Sequence, residues 1–155
     1  MTLPASPASP SPGRLLGDAD LAALFARTKR IAVLGIKTEA QRGQPAFDVP
    51  HYLDAAGFEI VPVPVYYPDV TTILGKPVFR RLVDIPDPVD LVDVFRKASD
   101  LEAHFADIVA KKPATVWLQR GIRDDAFAAR LAAAGIDVVQ DRCIMVDHRR
   151  VALRA

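Results

Sequence analysis

Four apolar residues, Ile31-Ala32-Val33-Leu34, run directly into Gly35, and few folds accommodate that junction. The run is too short for a helix and β-branched enough for a strand buried on both faces, as in a parallel sheet. A loop then leads to a helical pattern beginning near Phe47. Strand, glycine turn and helix in that order open a nucleotide-binding α/β unit. The N-terminus of such a helix presents unpaired N–H groups and the positive end of its dipole, which suit a phosphate.

The alternation continues along the chain. Upstream, Asp18 is placed to cap a helix running to Arg27, with Leu21, Leu24 and Phe25 on one face. Strand one covers Arg30 to Leu34, and the loop after it runs from Gly35 to Pro45. The next helix spans Phe47 to Ala56, with Pro50 in its first turn and Gly57 as its stop. Strand two spans Phe58 to Val65, and its Pro62 and Pro64 suit a sheet edge. Leu74-Gly75-Lys76-Pro77 is a turn signal. Further strands fall at Val89–Phe95, Thr115–Leu118 and Ile136–Gln140, with helices at Ser99–Ala110 and Asp124–Ala134 and a basic end after Ile144. The pattern predicts an α/β fold, a single Rossmann-like doubly wound parallel sheet flanked by helices, with right-handed crossovers. The domain occupies residues 18–155, and residues 1–17, rich in Pro, Ser and Ala, read as a flexible tail, with docking of a short part on the domain left open.

The 155 residues suffice for one domain with a sizeable core, and a formal net charge of +1 offers no field to attract nucleic acid or a membrane surface. No apolar run approaches the length of a membrane span. The first twelve residues lack the charged and apolar regions of a secretory signal. One cysteine, Cys143, excludes an internal disulfide framework. The expectation is a cytoplasmic protein.

In sheets of this kind ligands bind at the carboxyl ends of the strands. The residues there are Gly35, Ile36, Lys37 and Thr38; Val65, Tyr66 and Tyr67; Phe95, Arg96 and Lys97; Gln119, Arg120 and Gly121; and Asp141, Arg142 and Cys143. Glycines that admit close approach, cations and flat rings are what a ligand with phosphates and an adenine needs. A nicotinamide dinucleotide is disfavoured, because Gly-x-Gly-x-x-Gly is absent and strand two ends without an acidic residue. No Gly-Lys-Ser/Thr occurs, so a phosphate loop of the ATPase kind is missing.

Several segments stand in the order seen in a known family. They are Arg30-Ile31-Ala32-Val33-Leu34-Gly35, Val49-Pro50-His51-Tyr52-Leu53, Val89-Asp90-Leu91-Val92-Asp93-Val94-Phe95-Arg96, Val116-Trp117-Leu118-Gln119-x-Gly121-Ile122 and Asp141-Arg142-Cys143. Together they resemble the small CoA-binding domain family, itself similar to the N-terminal CoA-binding domain of the succinyl-CoA synthetase alpha subunit. The resemblance implies a Rossmann-like fold that binds coenzyme A. It places the phosphates against Gly35, Ile36, Lys37 and Thr38, and the adenosine end near Val65, Tyr66, Phe95, Arg96 and Lys97. The chain departs from the family in carrying Gly-Ile-Lys where Gly-Ala-Ser is usual, and in a longer loop over residues 39–44.

No residue stands out as catalytic. Cys143 reads as a small buried hydrophobe, Trp117 as core, and His51 and His148 as surface residues. Asp141 and Arg142 read as a pair fixing the last turn. No His, Asp and Glu spacing suggests a metal. The leading expectation is a stand-alone protein that binds coenzyme A or an acyl-CoA. The alternatives are an NAD-dependent oxidoreductase or CoA-transferring enzyme on the same fold, and a structural interaction domain that binds neither. A homo-oligomer and a partner protein both stay open.

Overall fold

The computed structural model describes residues 11–154. Residues 1–10, most of the expected tail, lie outside them. The end of that stretch docks on the sheet: Gly13 N–H donates to the Ala132 carbonyl, Val138 N–H to that of Arg14, and Leu16 N–H to that of Val138. Helix α1 (Leu21–Arg27) follows a short 3-10 turn. Asp18 does not cap it. The Asp20 carboxylate accepts from Gly17 N–H instead, while Asp18 pairs with Arg142.

Strand β1 (Arg30–Leu34) leads through its loop to α2 (Pro45–Ala55) and then to β2 (Glu59–Val63). The helix starts two residues earlier than the pattern at Phe47 suggested, because Pro45 fits the first helical position, where its missing N–H costs nothing. Pro50 therefore lies inside the helix rather than in its first turn. The turn signal at Leu74-Gly75 makes a small hairpin, β3 (Thr72–Ile73) with β4 (Lys76–Pro77), both turn residues having positive φ. Strand β5 (Leu91–Val94) precedes a 3-10 run, Ala98–His104, that widens into α3 (Phe105–Lys111). Strand β6 (Thr115–Leu118), helix α4 (Asp125–Ala133, capped by Asp124) and strand β7 (Asp137–Val139) follow. The basic end is a helix, α5 (Ile144–Arg154).

The five long strands are all parallel, in the order β2-β1-β5-β6-β7. Pro62 sits on the edge strand β2, as its missing donor requires. One face of the sheet packs α1, α2 and α5 around Leu24, Phe47 and Trp117; the other packs α3 and α4 around Val92, Ile108 and Leu131. The chain is thus doubly wound. Strand order reverses at β1, so the crevice of such a fold opens between the carboxyl ends of β1 and β5. Among the described residues no helix is long and apolar enough to cross a membrane.

Candidate functional site

The crevice begins at Gly35. Its φ is +86°, and its N–H donates to the Val63 carbonyl at 2.9 Å. A Cβ there would collide with the Phe95 carbonyl oxygen, which comes from the end of the neighbouring strand. Only glycine satisfies both constraints.

The loop beyond is built rather than slack. Ile36 is 1% exposed and belongs to the core. Lys37 N–H donates to the Ala46 carbonyl at 3.0 Å, and its ammonium donates to the Gln44 side-chain oxygen. The Thr38 hydroxyl bonds Gln41 Oε1 at 2.7 Å and accepts from Ala40 N–H, capping the turn Glu39–Gln41. The Glu39 carboxylate accepts from Leu74 N–H at 2.7 Å, tying the loop to the hairpin.

A cleft of about 570 Å³ opens above these strand ends, in the range of small-molecule sites. Lys37 and the start of α2, Gln44 to Ala46, form one wall. Phe95 to Ala98 form the second, Gln119 to Ile122 the third, and Cys143 closes the end. The lining carries four cations, Lys37, Arg96, Lys97 and Arg120, and no carboxylate. Pro45, Ala46, Phe95, Ala98 and Ile122 supply an apolar surface between them. A smaller hollow of about 190 Å³ lies by Arg30 and Glu59, at the amino end of the edge pair, where sheets of this type do not take ligands.

Arg96 is held from several sides. Its Nε–H donates to His104 Nε2 at 3.3 Å, Nη1 donates to the Tyr66 hydroxyl at 3.4 Å, and Nη2 lies 3.5 Å from Asp100 Oδ2. The guanidinium carbon also sits 5.5 Å from the Tyr66 ring centre. Tyr66 itself is placed by Arg80, whose guanidinium donates to the carbonyls of Tyr66, Tyr67, Pro68 and Val70. On the third wall, Asp141 Oδ1 accepts from Gly121 N–H at 2.6 Å, and Gln119 Oε1 accepts from Ile144 N–H at 3.1 Å. Asp141 does not pair with Arg142, whose partners are Asp147 and Asp18. His148 is not a surface residue. It packs 5.1 Å from the rings of both Phe25 and Phe58, and its Nδ1 bonds the Tyr52 hydroxyl at 2.8 Å.

Of the residues expected from sequence, Lys37, Phe95, Arg96 and Lys97 line the cleft together, and Gly35 does not line it but packs against Phe95 and Arg96. Ile36 and Thr38 do not line it: Ile36 is buried in the core, and the Thr38 N–H and hydroxyl both bond Gln41 Oε1. Val65 is 36% exposed and Tyr66 63% exposed; neither lines the cleft, and Tyr66 reaches it through Arg96. Gln119, Arg120, Gly121 and Cys143, strand-end residues as well, also line it; Gln44, Pro45, Ala46, Ala98 and Ile122 are the additions. Arg120 follows its strand much as Arg96 follows β5, a signal visible in the sequence. Cys143 is half-buried and packs on the core while facing the cleft. No group of three or more His, Cys, Asp or Glu side chains gathers for a metal among the described residues.

Residues 29–149 match the CoA binding domain family. The Bacillus subtilis protein YneT is 30% identical over 130 residues, covering 84% of this chain and 93% of that protein. A Thermus thermophilus protein of known structure, cell-free ID.343, is 40% identical with a TM-score of 0.79, over 88% of this chain and 99% of that one. A dinucleotide-forming acetyl-coenzyme A synthetase of Ca. Korarchaeum cryptofilum shares the fold at 17% identity and a TM-score of 0.64, over 77% of this chain and 26% of that one.

Proposed function

The chain belongs to the CoA-binding domain family, and on that footing we propose that its strand-end cleft holds coenzyme A or an acyl-CoA as a stand-alone binding protein. The observation that carries this reading is the lining: four cations on three walls, with no carboxylate among them. In a chain of net charge +1 such segregation is local. It favours a polyanion, and the crevice geometry favours a nucleotide.

Coenzyme A has three chemically distinct parts, and the site has a counterpart for each. The pyrophosphate meets Lys37 and the N-terminal end of α2, beside Gly35, whose missing Cβ lets the Phe95 end of the neighbouring strand pack close. Arg96, with Lys97 beside it, takes the phosphate of the adenosine end, and Tyr66 offers a ring beside that cation. The apolar surface of Pro45, Ala46 and Ile122 suits the pantetheine arm, which leads toward Cys143. Among the described residues no His, Asp or Glu lines the cleft to serve as acid or base. That supports binding over turnover.

Calorimetry of ligand-free protein with CoA, dephospho-CoA and NAD tests the reading. CoA should bind tightest, and removal of the 3′-phosphate should weaken it by about tenfold or more, the worth of one charge-assisted contact. No measurable CoA binding would overturn the proposal.

A further inference from the structure

Arg96 differs from the other cations of the cleft in being anchored to a titratable base. The Arg96 Nε–H points at His104 Nε2, 3.3 Å away. Accepting that proton requires a free lone pair on Nε2, so His104 is neutral and carries its own proton on Nδ1. We propose that His104 is a positioning residue for Arg96, and that protonating His104 releases the guanidinium and weakens the cleft's hold on a phosphate-bearing ligand. The inference rests on the CoA-binding reading and adds to it a pH-dependent control of the same site.

The charged groups around His104 fix the direction. Arg96 faces it from the loop after β5, Asp100 from the preceding turn of its own 3-10 run, and Asp107 from α3. Burial first, and Arg96 second, hold the imidazolium form below the ordinary histidine range, while Asp107 and Asp100 oppose them. At neutral pH the imidazole is therefore neutral and the bond to Arg96 is in place. As pH falls through the lowered pKa, Nε2 becomes a donor and meets the Arg96 N–H donor with like charge. The new imidazolium also competes for Asp100, which lies 3.5 Å from Arg96. Arg96 is then left with Tyr66 and a share of Asp100. His104 does not line the cleft whereas Arg96 does, so the displaced contact outweighs the added charge behind it.

Two variants separate this role from a structural one. His104→Gln keeps an acceptor but takes no proton; His104→Ala keeps neither. CoA affinity is measured by calorimetry from about pH 7.5 to about pH 4.5, a window that runs from above the ordinary histidine value to well below it. The unaltered protein should lose about three- to tenfold more affinity on acidification than His104→Gln, the worth of one hydrogen bond. Comparison with that variant removes the titration of the ligand's own phosphate. His104→Ala should already be weakened by a similar factor at pH 7.5. A histidine titration followed by NMR should also show the His104 pKa rising in Arg96→Gln, with no ligand present. Parallel pH profiles for the unaltered protein and His104→Gln, with CoA still bound, would overturn this inference alone. An unmoved His104 pKa in Arg96→Gln would do the same. Absence of CoA binding at pH 7.5 would overturn the functional reading and this inference with it.

Discussion

The Lys37 N–H donates to the Ala46 carbonyl at 3.0 Å, joining the loop after β1 to the first turn of α2. In an unbroken helix that carbonyl would accept from residue 50, which is Pro50 and has no N–H. The helix gives up one internal bond, and the loop carrying a cleft lysine is fastened by it. Pro50→Ala restores a competing donor. The expected result is faster hydrogen exchange at the Lys37 amide, with the protein as stable as before or more so. An unchanged exchange rate would mean the carbonyl serves both donors and the proline has no part in fixing the loop.

Gly35 and Gly57 both have positive φ, at +86° and +103°, but only Gly35 faces another strand's carbonyl. Gly57→Ala should cost about 1–2 kcal/mol of stability, the backbone penalty alone. Gly35→Ala adds the collision with the Phe95 carbonyl and should cost clearly more, about 3 kcal/mol or above. Urea denaturation of the two variants measures the difference. Equal losses would show that β1 and β5 part easily at their ends, and that glycine is not what holds the crevice floor together.

Much of this architecture is legible in the sequence where short-range signals decide it. Strand β6 covers Thr115–Leu118 as its β-branched and apolar residues imply, and α4 ends within a residue of the expected Asp124–Ala134 at either side. Pro62 marks an edge because a missing donor is a local fact. The end of the chain carries a weaker local signal. Helix α5 buries Ile144 and Asp147, with His148 and Val151 packed beside them, so its inner face looks polar until Arg142 is seen to neutralise Asp147 and aromatic rings to enclose His148. The cleft shows the same division. Lys37 and Arg96 follow strands and are read directly, but the third wall depends on Asp141 meeting Gly121 and Gln119 meeting Ile144, pairings 20 and 25 residues apart. No local pattern reports them.

The third wall makes Arg120 a test of the whole cleft. It lies on a different strand end from Lys37 and Arg96, yet lines the same space. Arg123, three residues on, pairs with Asp125 at 3.1 Å and does not line the cleft, which makes it the control. Arg120→Ala should weaken CoA binding by about tenfold or more, as for a lost charge-assisted bond, and reduce its sensitivity to salt. Arg123→Ala should change neither. Calorimetry at two salt concentrations reads both effects, and equal behaviour of the two variants would remove the third wall from the site.

Asp93 sits on β5 between Val33 of β1 and Trp117 of β6, fully buried, and neither carboxylate oxygen has a hydrogen-bond partner. Burial pushes its pKa well above the ordinary carboxylate range, so the folded protein favours the neutral acid. The sign of the pH effect follows. Below about pH 4 the group is protonated in both folded and unfolded chains, and its contribution to stability is fully present. As pH rises from there the unfolded chain ionises first, and stability falls until the folded pKa is passed, beyond which it levels. Urea melts across that window should show the decline in the unaltered protein and its absence in Asp93→Asn. Asp93→Val replaces an unpartnered polar group with a strand-forming apolar one and should add about 1–3 kcal/mol at pH 8. Because Asp93 is fully buried and does not line the cleft, the same substitution should leave CoA affinity unchanged. Superimposable pH profiles for the unaltered protein and Asp93→Asn would mean that the carboxyl is ionised in the fold. A loss of affinity in Asp93→Val would tie it to the cleft wall two residues further along the strand.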